Sequence, residues 1–134
     1  MLRLAIVAAC LLFAACGDDD GDAAPSQTAL AAELTVTVRP EGPGGPVRER
    51  RVECQGFGSE AEDPVCRGLT VERLAPVPRT TPCTAIYGGP DVARVTGTID
   101  GERVDERFSR EDGCQIARWD ENVALLGRPS NRPG

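Results

Sequence analysis

The chain contains no histidine and no lysine, and its aromatic residues are one tryptophan, one tyrosine and three phenylalanines. Without histidine, neither a Ser-His-Asp nor a Cys-His catalytic set can form, and no metal can be held by imidazole. Paired-carboxylate chemistry stays open, because acids are plentiful. They are scattered along turns and polar faces, however, with no apolar pocket sequence beside them, which is the pattern of a solvated surface. Ser59, Ser109 and Thr84 come nearest to nucleophiles, and none has a partner to activate it. The residues therefore point away from an enzyme. All basic residues are arginine, interspersed with acids, and the net charge is -6. That balance argues against nucleic acid as a partner. Few aromatics leave a core of Val, Leu, Ile and Ala. At 134 residues there is room for one domain with a small core, and small cores usually need covalent staples.

At the amino terminus, Arg3 precedes an apolar run from Leu4 to Phe13, and small residues lead into a cysteine. Residues 1–15 read as an export signal and not as part of the fold. Phe13-Ala14-Ala15-Cys16 resembles a bacterial lipobox, in which the signal is cut before Cys16 and the thiol carries a diacylglycerol. Val7-Ala8-Ala9-Cys10 fits the same box, but too short an apolar run precedes it. The plainer alternative is a secretory signal with a free Cys16. Two acyl chains suffice for stable anchoring. Asp18, Asp19, Asp20 and Asp22 follow, too clustered to pack and without a loop to converge them on calcium. Residues 16–32 read as an acidic tether, with a root-mean-square span of roughly 20–25 Å. The expected location is the outer face of the bacterial cytoplasmic membrane, or free secretion.

The domain is expected over residues 33–127. Leu34, Val36 and Val38 alternate with Thr35 and Thr37, which predicts a half-buried strand. Pro40 to Pro46 breaks it. Val47 to Gln55 is a second extended run with an Arg-rich exposed face. Asp63-Pro64 predicts a helix start, Asp as N-cap and Pro at the first position, and the helix is expected to reach about Leu74 with Val65, Leu69 and Arg73 on one side. Val92 to Ile99 and Glu102 to Ser109 form a predicted hairpin across Asp100-Gly101. A helical turn is expected within Gln115 to Asn122, and Val123 to Leu126 reads as a closing strand. Trp119 is expected to be buried or partly so. Residues 128–134 read as a disordered tail. This is an α+β domain with a mostly antiparallel sheet.

Setting aside Cys10 and Cys16, four cysteines remain: Cys54, Cys66, Cys83 and Cys114. In an exported domain they predict two disulfides, and the residues alone permit three pairings. None forms a Cys-x-x-Cys pair, so zinc is not expected, and no cofactor is called for. The segment Pro82-Cys83-Thr84-Ala85-Ile86-Tyr87-Gly88-Gly89-Pro90 is an uncharged run in a charged chain. Pro82 biases Thr81 toward extended backbone, and Thr84 and Ile86 are stiff β-branched residues. The segment reads as extended and tethered through Cys83, with Ala85 offering a small side chain to a pocket. The plain alternative is a buried strand end beside a structural cystine. Gly88-Gly89 makes the trailing side look looser.

Leu34-Thr35-Val36, the four cysteines, the Cys83–Tyr87 run, Val95-Thr96-Gly97, Asp100-Gly101, Val104, Phe108-Ser109 and Val123 together resemble the Streptomyces subtilisin inhibitor family. The resemblance covers about Leu34 to Leu126. It implies a five-stranded antiparallel sheet with two short helices, often as a homodimer. It implies disulfides Cys54–Cys66 and Cys83–Cys114. It further implies serine protease inhibition through a reactive bond between Ala85 and Ile86, preceded by Cys83 and Thr84 and followed by Tyr87. A small residue at Ala85 suits subtilisin-like or elastase-like enzymes. The second reading is a non-inhibitory envelope lipoprotein that uses the same fold as a binding or structural module.

Overall fold

The computed structural model describes residues 31–130. The expected export signal, Cys16 and nearly all of the expected tether lie outside them. The elements are β1 (Ala32–Arg39), β2 (Arg48–Cys54), α1 (Pro64–Arg67), α2 (Val71–Leu74), β3 (Val92–Ile99), β4 (Glu102–Phe108), α3 (Gly113–Glu121) and α4 (Val123–Leu126). The strands form one four-stranded antiparallel sheet in the order β2-β1-β3-β4.

Alternation decides which way the strands face. In β1, Ala32, Leu34 and Val36 are buried while Glu33 is exposed and Thr35 and Thr37 are half-buried. Opposite them on β3 stand Ile99, Gly97 and Val95, and on β2 Cys54, Val52 and Arg50. Gly97 is required by close approach, since a Cβ there would lie 2.0 Å from the Glu33 carbonyl oxygen at a φ of +140°. The β3–β4 turn carries Asp100 at φ 48° and Gly101 at φ 78°, the left-handed pair that a two-residue hairpin needs. The helices cover one face only: α4 lies against β1, and α2 and α3 lie against β4. Trp119 is the largest fully buried side chain, and its Nε1 donates to the Gly127 carbonyl at 3.1 Å. The other face is polar, with Arg94 forked on Asp105 at 2.7 Å through two nitrogens.

Both expected disulfides are present, Cys54–Cys66 and Cys83–Cys114, closing loops with sequence separations of 12 and 31. Loop-closure entropy assigns them about 3 and 3.7 kcal/mol of stabilisation. That is comparable to the whole stability of a small domain.

Several expectations are corrected. Among the described residues the sheet has four strands, not five, because Val123–Leu126 is helical. A short apolar run fits a buried strand or a buried helix equally well, and its neighbours decide. Asn122 accepts from the Leu125 and Leu126 amides through its carbonyl. Arg50 donates to the Ala124 and Leu125 carbonyls, satisfying groups a helix end leaves free. Gly127, at φ 87°, ends the run. The single helix expected from Asp63 to Leu74 is two, split by Gly68 and recapped at Thr70, whose hydroxyl accepts from the Arg73 amide at 3.1 Å. Asp63 does cap the first, accepting from the Val65 amide at 2.8 Å. In place of two helices, the described residues hold four short ones. The expected tether reaches too far, since Ala32 already pairs in β1 and is fully buried. The tail also starts too early: Pro129 is buried, and Ser130 donates from its amide and hydroxyl to Asp91 at 2.9 and 3.2 Å.

Candidate functional site

Between Leu74 and Val92 the chain has no regular structure. Pro76, Pro78, Pro82 and Pro90 remove amide donors and hold φ, so neither helix nor ladder can propagate through it. Residues 81–87 are exposed throughout. Ile86 and Tyr87, at 58% and 69% exposure, are two of the three large hydrophobic side chains left open to solvent among the described residues. The expected site residues Cys83, Thr84, Ala85, Ile86 and Tyr87 therefore form one continuous exposed surface. The buried-strand alternative for this segment does not hold, although Cys83 is in a cystine as expected.

The exposed run is tied at both ends. On the leading side, the Cys83–Cys114 bridge joins it to the first turn of α3. The Thr84 carbonyl accepts from the Gly113 amide at 2.9 Å, and also from the Ile86 amide at 2.9 Å. The second bond closes a three-residue turn with Ala85 at its apex. Gly113 is needed here because a Cβ would sit 2.1 Å from Thr84 Oγ1. Asp112 fixes the start of α3 beneath, its side chain accepting from the Gln115 amide at 2.8 Å.

On the trailing side, the Gly88 amide donates to the Arg110 carbonyl at 2.7 Å, and Arg110 Nε donates back to the Gly88 carbonyl at 3.0 Å. The looseness expected of Gly88-Gly89 is absent at Gly88. Glycine serves close packing instead, since a Cβ would lie 2.5 Å from Ile116 Cγ1. Gly89 is buried and takes a φ of 121°, a conformation that glycine adopts without strain.

Arg110, Asp112, Gly113, Trp119 and Asp120 support the loop, and sequence reasoning did not assign them to it. Asp112-Gly113 ahead of a helical stretch carries a local N-cap signal. Arg110 carries none, because its partners Gly88 and Asp120 are distant in sequence.

A metal role fails on chemistry. Ligand atoms of Cys83, Asp112 and Cys114 lie within 4.8 Å of one another. Both sulfurs are committed to a disulfide, though, and metals bind the thiolate. What the arrangement offers is backbone and side chains in a fixed, outward-facing segment that turns at Ala85, a surface that a protein cleft can take up as it does a peptide. No helix among the described residues is long and apolar enough to cross a membrane. No family model matches this chain, and no similar protein was found among curated proteins or solved structures.

Proposed function

We propose that this protein inhibits subtilisin-like or elastase-like serine proteases by binding as a substrate through the Ala85–Ile86 bond. The observation that carries the reading is an exposed segment secured on both sides of that one bond, by a disulfide and a hydrogen bond before it and by a paired hydrogen bond after it. A loop already fixed loses little conformational entropy on binding. Ala85 enters the primary pocket, and Ile86 and Tyr87 supply the apolar contact beyond it. Alanine forgoes about 1.5–3 kcal/mol of burial relative to a long apolar side chain, so the enzymes favoured have small or tolerant pockets. The inhibitor contributes no catalytic residue. After cleavage the sheet and the Cys83–Cys114 bridge hold the halves together, so resealing competes with hydrolysis.

Two disulfides fit an oxidising, extracytoplasmic setting. On this reading a lipid on Cys16 keeps the domain at the envelope, where it shields surface proteins from secreted proteases. The homodimer implied by the resemblance belongs to the same reading, and sedimentation of the purified protein tests it.

The primary experiment is inhibition kinetics of the exported protein against subtilisin, elastase, trypsin and chymotrypsin, with cleavage followed by mass spectrometry. Tight inhibition of subtilisin or elastase with at most a slow nick after Ala85 is the expected result. Indifference to all four, or simple digestion, overturns the reading in favour of a non-inhibitory binding module on the same fold.

A further inference from the structure

The two attachments of the loop differ in kind. Before Ala85 the link to α3 is covalent and outlasts cleavage of the chain. After Ile86 the chain is held by the pair of hydrogen bonds between Gly88 and Arg110. Arg110 is only 7% exposed. Its Nη1 lies 3.3 Å from Asp120 Oδ1, and its guanidinium carbon stands 6.0 Å from the centre of the Trp119 ring. A guanidinium is costly to bury unless its charge and donors are met. Here the carboxylate of α3 meets the charge and a loop carbonyl takes Nε. The side chain is thus fixed by the helix and presented to the loop, with Nε donating to the Gly88 carbonyl.

We propose that Arg110 is the positioning residue for the cleaved bond, holding Gly88 so that the Ile86 amine stays beside the Ala85 acyl group. The inference rests on the inhibitor reading. When a protease serine attacks Ala85, an ester forms at its carbonyl and the bond to the Ile86 nitrogen breaks. The serine proton passes through the protease's own base to that nitrogen. Resealing reverses each step: the amine attacks the ester, the amide returns and the serine regains its proton. The rate of return depends on how often the amine lies near the ester, that is, on its effective concentration. From Gly88 the amine hangs on Ile86 and Tyr87 alone. Without the Arg110 guanidinium, Gly88 keeps its amide bond to the residue 110 carbonyl but loses the bond on its own carbonyl, so the anchor loosens. A looser anchor dilutes the amine, and water takes the ester instead.

The test compares wild type with Arg110→Ala, Arg110→Lys and Val36→Ala, each in the full exported protein. Val36 is core and remote from the loop, so it reports what lost stability alone does. With subtilisin, the ratio of clipped to intact protein at equilibrium is read by mass spectrometry, together with kcat and KM for clipping. Arg110→Ala is expected to raise the ratio about ten- to a hundredfold, the size of a hydrogen bond to a charged group. It should raise the kcat of clipping more than its KM. Arg110→Lys, which lacks the fork that reaches Gly88 and Asp120 together, should fall between. Val36→Ala should lower the melting temperature and leave the ratio near wild type. If Arg110→Ala moves the ratio no further than Val36→Ala does, while wild type still inhibits, the inference is overturned and the inhibitor reading stands. If wild type is ignored or digested outright, both fall.

Discussion

The two disulfides sit in opposite surroundings. Cys54 and Cys66 are 1% and 3% exposed, with Phe57, Ala61 and Val65 packed around the same core. They join the end of a strand to the first helical turn, elements that pairing and burial already locate. Cys83 is exposed and Cys114 half-buried, and they hold a segment that has no ladder or helix of its own. The first bridge adds stability where packing already specifies the structure. The second specifies structure where packing is missing. A disulfide's role is therefore read from what surrounds it, since both share the same chemistry.

The strongest way to break this contrast is to remove each bridge in turn. Replacing Cys83 and Cys114 by serine should cost about 3.7 kcal/mol by loop-closure entropy, and should also free the leading side of the loop. Denaturant unfolding gives the first effect. On the proposed inhibitor reading, conversion to an ordinary substrate, followed by mass spectrometry, gives the second. Replacing Cys54 and Cys66 by alanine should cost about 3 kcal/mol and leave clipping after Ala85 unchanged. Equal changes in clipping for the two pairs would erase the distinction.

Smaller effects sharpen it. Gly113→Ala forces a methyl onto Thr84 Oγ1, and Gly88→Ala forces one onto Ile116; overpacking of this kind costs about 1–3 kcal/mol. Both variants should shift the amide signals of residues 84–88 while leaving those of β1 in place, as a two-dimensional NMR spectrum would register. The smallest effect belongs to the open face of the sheet. The hydrogen bond from Arg94, with its charge, holds the Asp105 carboxyl below the ordinary carboxylate value. A carboxyl depressed in the folded state adds stability above its unfolded pKa and loses it as pH falls through the folded one. Arg94→Ala should thus slightly flatten the acid limb of a stability–pH curve without altering the loop. The pair is solvent-exposed, so added salt should shrink even that difference.

Much of the fold was legible because it rests on local pattern. Alternation in Leu34 to Val38, the Asp100-Gly101 turn and the Asp63-Pro64 cap each carry their signal within a few residues. The Pro82–Pro90 run was legible as irregular and tethered through Cys83 for the same reason, but its exposure was not, since local pattern fits a buried strand end equally well. Val123–Leu126 was misread because four apolar residues have no measurable period, and Arg50, which completes that helix, lies far away in the chain. The break after Arg67 was missed because Thr70 looks like any polar residue until its hydroxyl is seen on the Arg73 amide. Arg110 was illegible in principle: its importance lies wholly in long-range contacts, with Gly88 on one side and Asp120 on the other. Arg118 is a similar case. Burial lowers its guanidinium pKa, opposed by Glu106, while it donates to the Arg107 and Leu74 carbonyls and stacks 3.9 Å from the Phe108 ring centre.

The clasp at Ser130 bears on how the protein can be handled. Ser130 reaches both carboxylate oxygens of Asp91 and the carbonyl of Pro40, and Asp91 stands at the root of β3, directly after the exposed run. Trimming the gene to end at Gly127 would strip both donors from a carboxylate that is only 1% exposed. An affinity tag or reporter fused there would pull on the same root. Fusions placed beyond Ser130 leave the clasp closed, and that is where a join to this domain should be made.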